Sequence, residues 1–230
     1  MSNNDILNIA FFANQVPWAY KIISKMDETQ KAIYSNSPLP EIVRSISRKQ
    51  SIMRNIADNI NLGMNKLNTL LKNNKDADHC MQTGKALIFE DIHLIYSVLM
   101  YMEAFISTMK SCKDFLAKYA VIFNRLIINN NHYIAADFFN ELEVKGLRRD
   151  WIDNLDDIRN DIEHNYSAWI SFNKIGDNYI LTLSLPKSLN KHKAHKKYQK
   201  DSLDTEELNG MINNYNNYFE KAIELLLNIN

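Results

Sequence analysis

The chain has 230 residues and no formal net charge, because 27 Lys plus Arg balance 27 Asp plus Glu. That excludes a protein that coats nucleic acid through global positive charge, while leaving room for a local basic face. A hydrophobic share of 46% is enough for a core, and five Gly with four Pro are too few for a turn-rich all-β fold or a Gly-rich nucleotide-binding sheet.

Two cysteines, Cys80 and Cys112, build neither a disulfide scaffold nor a four-thiolate zinc site. Residues Met1 to Asn4 carry none of the basic charge that opens a secretory signal. The most apolar run, Ile92 to Met102, is flanked by Glu90, Asp91 and Glu103 and reads as too short to span a bilayer. The expectation is a soluble, cytoplasmic protein.

In chain order, Ile6, Ile9, Ala10, Ala13 and Val16 recur at helical spacing over about 5–26, with Pro17 as an interruption. Ser35 to Pro40 is a connector. From Glu41 to about Lys72 the apolar positions Ile42, Ile46, Met53, Ile56, Ile60, Leu67 and Leu71 predict a long amphipathic helix. The polar stretch Lys72 to Gly84 reads as a loop. The strongest period runs from Ile88 to Ile127 in steps of three and four. It predicts one core helix, or two broken near Ser107 to Ser111.

Asn129-Asn130-Asn131 ends that helix. His132 to Lys145 predicts a shorter one, stopped by Gly146, and about 150–167 predicts another. Trp169–Asn173 and Tyr179–Leu185 then flank Gly176-Asp177-Asn178 with period-two alternation, as a β-hairpin closed by Pro186. Asp204-Thr205-Glu206-Glu207 reads as a capping box that opens the last helix. The expected fold is all-α, a helical bundle with a small β-hairpin inserted before the last helix.

The segment carrying chemistry is Asp157-Ile158-Arg159-Asn160-Asp161-Ile162-Glu163-His164-Asn165-Tyr166. On a helical wheel with Arg159 at zero, Tyr166 falls at about −20°, Glu163 at about 40°, Asn160 at about 100° and His164 at about 140°. Trp151, Leu155, Ile158, Ile162 and Trp169 take the opposite arc. One helix thus buries an apolar stripe and gathers Arg, Asn, Glu, His and Tyr on the other side. Glu163, one turn from Arg159, can hold the guanidinium fork, and Asn160, one turn from His164, can orient the imidazole. A positioned imidazole suits general acid–base work, and an arginine suits a phosphate or its transition state.

Arg159-Asn160-x-x-x-His164 on the penultimate helix of an all-α chain resembles the R-x(4–6)-H motif of the HEPN superfamily. With Tyr166 it also resembles the R-x4-H-x-Y variant of HEPN toxins, which are paired with a nucleotidyltransferase-type antitoxin. The resemblance covers the chain from Ala86 onward. It implies a HEPN-like helical domain over 86–230, with 1–85 an N-terminal helical extension packed on that core. It further implies a metal-independent endoribonuclease, acting as a homodimer through the motif helix, in a toxin–antitoxin or phage-defence setting. His164 would be acid or base, Arg159 would bind the scissile phosphate and Asn160 would support them. Tyr166 would be the position the antitoxin modifies with AMP. The alternative within the same superfamily is a non-catalytic dimerisation or nucleotide- and RNA-binding module.

The stretch Lys187 to Lys200 holds six lysines and no acid. Among them Lys191, Lys193, Lys196 and Lys197 are candidate RNA contacts. Glu90-x-x-His93 and Asp161-x-x-His164 have the spacing of a di-iron carboxylate bundle, but beyond Glu103 no further inward carboxylate stands out. No metal and no cofactor are expected.

Overall fold

The computed structural model describes residues 16–83, 87, 91–147, 152, 155–160, 169–175, 178–184 and 202–228. The chain is predominantly helical. In order it forms α1 (Val16–Ile23), α2 (Glu28–Ser35), α3 (Leu39–Asn73), α4 (Ala77–Thr83), α5 (Ile92–Leu126), α6 (Ala135–Val144) and α7 (Thr205–Leu227). Residues 155–160 are also helical. Three strands, β1 (Trp169–Ile175), β2 (Asn178–Ser184) and β3 (Ser202–Asp204), form one antiparallel sheet in that order. In its register Trp169 lies opposite Ser184, Ile175 opposite Asn178, and Leu183 opposite Leu203.

The residues group into two units that interleave along the chain. Of the described residues, the first takes those within 54–107 and 154–210, and the second those within 16–53, 108–153 and 211–228. Helices α3 and α5 contribute residues to both.

In the first unit the core is built by Ile60, Met64 and Leu67 of α3 with Val98, Met102 and Phe105 of α5. Gly63 lets these helices approach closely. A Cβ at that position would collide with the Val98 Cγ2 methyl. α4 occupies the stretch expected to be a loop. It has no apolar period, and only Ala77 is fully buried. Asn74 accepts from the Asp76 N–H at 2.8 Å ahead of the helix, and Asp78 ties it to the sheet, a contact that local spacing does not encode.

In the second unit the core is aromatic. Trp18 sits edge-on to Tyr119 at 5.2 Å and to Phe219 at 5.8 Å, and Tyr119 stacks on Phe123 at 5.9 Å. Phe138 of α6 meets Tyr218 of α7 edge-on at 6.2 Å. Such pairs add to the area they bury. Two polar side chains are enclosed there, Gln50 at 2% exposure and Lys113 at 3%. The Gln50 amide donates to the Tyr215 hydroxyl at 3.0 Å, and the Tyr218 hydroxyl donates to the Lys113 carbonyl at 3.0 Å. The first bond offsets part of the cost of enclosing the Gln50 amide, and the enclosed Lys113 ammonium has Asp114 Oδ1 at 3.4 Å. Burial pushes the Cys112 thiol up to about 12.

Helix ends follow local chemistry. Asp27 accepts from the Gln30 N–H at 2.7 Å while the Gln30 side chain accepts from the Asp27 N–H at 3.1 Å. This capping box starts α2. Asn129 (φ 60°) follows α5 and Gly146 (φ 82°) follows α6, each in the left-handed region where Gly and Asn are tolerated. α5 is unbroken through Ser107 to Ser111 and is 35 residues long. The apolar run starting at Ile92 is therefore not a short segment. By length and composition α5 could cross a membrane, a test that the core helix of a soluble protein also passes.

Candidate functional site

Within 155–160, Leu155 is fully buried, Ile158 and Arg159 are half-buried and Asn160 is exposed. The wheel read from the sequence puts Arg159 at the border of the apolar stripe, and its partial burial is what that border produces. Its Nη1 donates to the Asn160 Oδ1 at 3.2 Å. That bond fixes one edge of the guanidinium and engages the Asn160 carbonyl oxygen, leaving the amide N–H groups as donors. Asp156 and Asp157, one turn or less from Arg159, are also half-buried.

The other motif residues, Glu163, His164 and Tyr166, lie outside the described residues. So do the lysines Lys191, Lys193, Lys196 and Lys197, and Glu90 and Asp161 of the two carboxylate–histidine pairs. Of those pairs' remaining members, His93 is exposed. Glu103 is half-buried on α5, and burial raises its carboxyl above the ordinary value. Among the described residues no group of three or more His, Cys, Asp or Glu side chains converges.

The same unit holds a polar cluster that sequence reasoning did not find. Lys174 of β1 donates to both carboxylate oxygens of Asp78 in α4, at 2.7 and 2.8 Å. The Tyr179 hydroxyl of β2 donates to Asp78 Oδ1 at 2.8 Å. The Lys174 ammonium also stands 5.4 Å from the Tyr179 ring centre, and Phe172 packs edge-on against that ring at 5.8 Å. The Lys174 ammonium, then the Tyr179 hydroxyl, hold the Asp78 carboxyl below its usual range. Desolvation, then the Asp78 carboxylate, pushes the Tyr179 phenol up. These hydrogen bonds clamp α4 to the sheet. The signal was distributed: Asp78 is 96 residues from Lys174 and 101 from Tyr179.

No protein-family model matches the chain, and no curated protein or solved structure matches it.

Proposed function

We propose that the chain is a metal-independent endoribonuclease of HEPN type that acts as a homodimer in a toxin–antitoxin or phage-defence setting. The observation that carries this reading is the helical pair Arg159–Asn160, half-buried guanidinium beside exposed amide, at the head of Arg159-Asn160-x-x-x-His164-x-Tyr166. In this reading two copies related by a two-fold bring their motif helices together, so that both Arg159–His164 sets surround one groove.

An imidazole of one His164 takes the proton from the ribose 2′-hydroxyl. The 2′-oxygen attacks phosphorus, the bond to the 5′-oxygen breaks and the imidazolium so formed gives its proton to the leaving oxygen, yielding a cyclic phosphate and a 5′-hydroxyl. Arg159 binds the non-bridging oxygens and stabilises the charge that develops on them. Asn160 and Glu163 hold the pair in place. Tyr166 is the position at which a nucleotidyltransferase-type antitoxin attaches AMP and closes the groove.

The test incubates the full chain with labelled RNA in EDTA. Cleavage to cyclic-phosphate ends is expected, falling by about 10²–10⁴-fold in His164→Ala. Sedimentation at micromolar concentration is expected to show about 54 kDa, twice the 26.8 kDa chain. A folded parent dimer that leaves RNA intact would replace the enzyme with a non-catalytic HEPN-like dimerisation or nucleotide-binding module. A monomer that cuts RNA would sink the composite site.

A further inference from the structure

Among the described residues, one part of this neutral chain carries an excess of positive charge. In the second unit, residues 39–53 of α3 and 108–126 of α5 carry seven bases and two acids. The bases are Arg44, Arg48, Lys49, Lys110, Lys113, Lys118 and Arg125, and the acids are Glu41 and Asp114. Both acids are already engaged. Glu41 pairs with Arg44 at 2.6 Å. Asp114 gives one oxygen to Lys110 at 2.9 Å and the other to Lys113 at 3.4 Å. Arg125 Nε donates to the Tyr133 carbonyl at 2.8 Å. Among the described residues Arg48, Lys49 and Lys118 have no acidic partner.

A contact between Lys49 and Phe115 links the two helices that carry them. The Lys49 ammonium of α3 stands 5.8 Å from the centre of the Phe115 ring of α5. Within about 6 Å, a ring face attracts and steadies such a charge. Lys118 is one turn beyond Phe115 on α5, and Arg48 adjoins Lys49 on α3; both are exposed. Part-exposed hydroxyls accompany them, with Ser45 one turn before Lys49 and Ser111 one turn before Phe115. On the side away from solvent α7 seals the unit through Tyr215 and Tyr218.

We propose that this α3–α5 face binds the phosphodiester backbone of single-stranded nucleic acid, without base preference. Cations without an acidic partner among the described residues, one of them steadied on a ring, are the groups that contact phosphate oxygens. The inference rests on charge and pairing, and it holds whether or not the chain cuts RNA.

The experiment measures fluorescence anisotropy of a short labelled oligouridylate and of its 2′-deoxy analogue on the full chain across a salt series. The deoxy strand lacks the 2′ nucleophile, so its binding is read independently of cleavage. The exposed pair is reversed in Arg48→Glu/Lys118→Glu, and a matching thermal melt verifies the fold. Both probes should weaken by about tenfold or more at low salt, and the log–log salt slope should flatten by about 1.4, or about 0.7 per lost contact. Parent-like affinity and slope for both probes in the folded variant would overturn the proposal. So would tight, charge-dependent binding to phosphatidylserine vesicles or a polyglutamate peptide with no binding to either oligonucleotide.

Discussion

Replacing Gly63 by alanine pits two effects against each other. Gly63 lies in the interior of α3, where Gly→Ala should stabilise a helix by about 0.8–1 kcal/mol. The added methyl, however, would meet Val98 Cγ2, and Val98 is buried at 1% exposure on α5. Both neighbours are helical backbones bearing packed side chains, so the overlap is relieved only by moving a β-branched rotamer or parting two helices. Overpacking of this kind costs about 1–3 kcal/mol. Subtracting the helical gain leaves a net loss of about 1 kcal/mol, or roughly 2–4 °C in midpoint for a chain of this size. Val98→Ala vacates the contested space. The double variant should therefore be more stable than the sum of the two single losses, by about the overlap energy. Urea unfolding followed by circular dichroism reads this, provided the m value matches the parent. A Gly63→Ala protein stabilised by the full helical gain would refute the close approach of α3 and α5.

The Asp78 clamp should make stability acid-sensitive. Its folded pKa lies below the ordinary value near 4, so its contribution is complete above that value and drains away as pH falls through the folded one. The parent's melting midpoint should drop between about pH 5 and pH 2, and Asp78→Asn should start lower and drop less; parallel curves would dismiss the clamp. With its thiol raised to about 12, Cys112 should resist iodoacetamide at neutral pH in the folded chain and react in urea, as peptide mapping would show. Labelling of Cys112 at the unfolded rate without denaturant would contradict its burial.

The long helices were legible because burial repeats along them. Of the positions that the period selects, Ile42, Ile46, Met53, Ile60, Leu67 and Leu71 are buried and Ile56 is half-buried. Their stops were legible too, since Asn129 and Gly146 take the left-handed conformation their types favour. α2 was missed although its signal was local, the Asp27-x-x-Gln30 capping box. α4 was missed because it shows no apolar period, and its contact with the sheet joins Asp78 to Lys174 and Tyr179, which no short window contains together. β3 is three residues long and pairs with β2 through backbone groups, which leaves little side-chain pattern to read. At the candidate site the wheel located Arg159 at the border between buried and polar arcs. The Arg159–Asn160 bond was not foreseen, because the wheel gives angles and not rotamers.

The interleaving of the two units bears on how the protein is made. Gln50 and the Lys113 carbonyl find their partners in Tyr215 and Tyr218, and Trp18 finds one of its rings in Phe219. On a ribosome adding about 5–20 residues per second, the stretch from Leu126 to Met211 takes roughly 4–17 s. Throughout that interval the aromatic surface of α1 and α5 awaits α7, as does the Gln50 amide that Tyr215 will accept from. Exposed apolar surface of this kind is what holding chaperones cover, and stalling translation ahead of α7 should prolong their engagement.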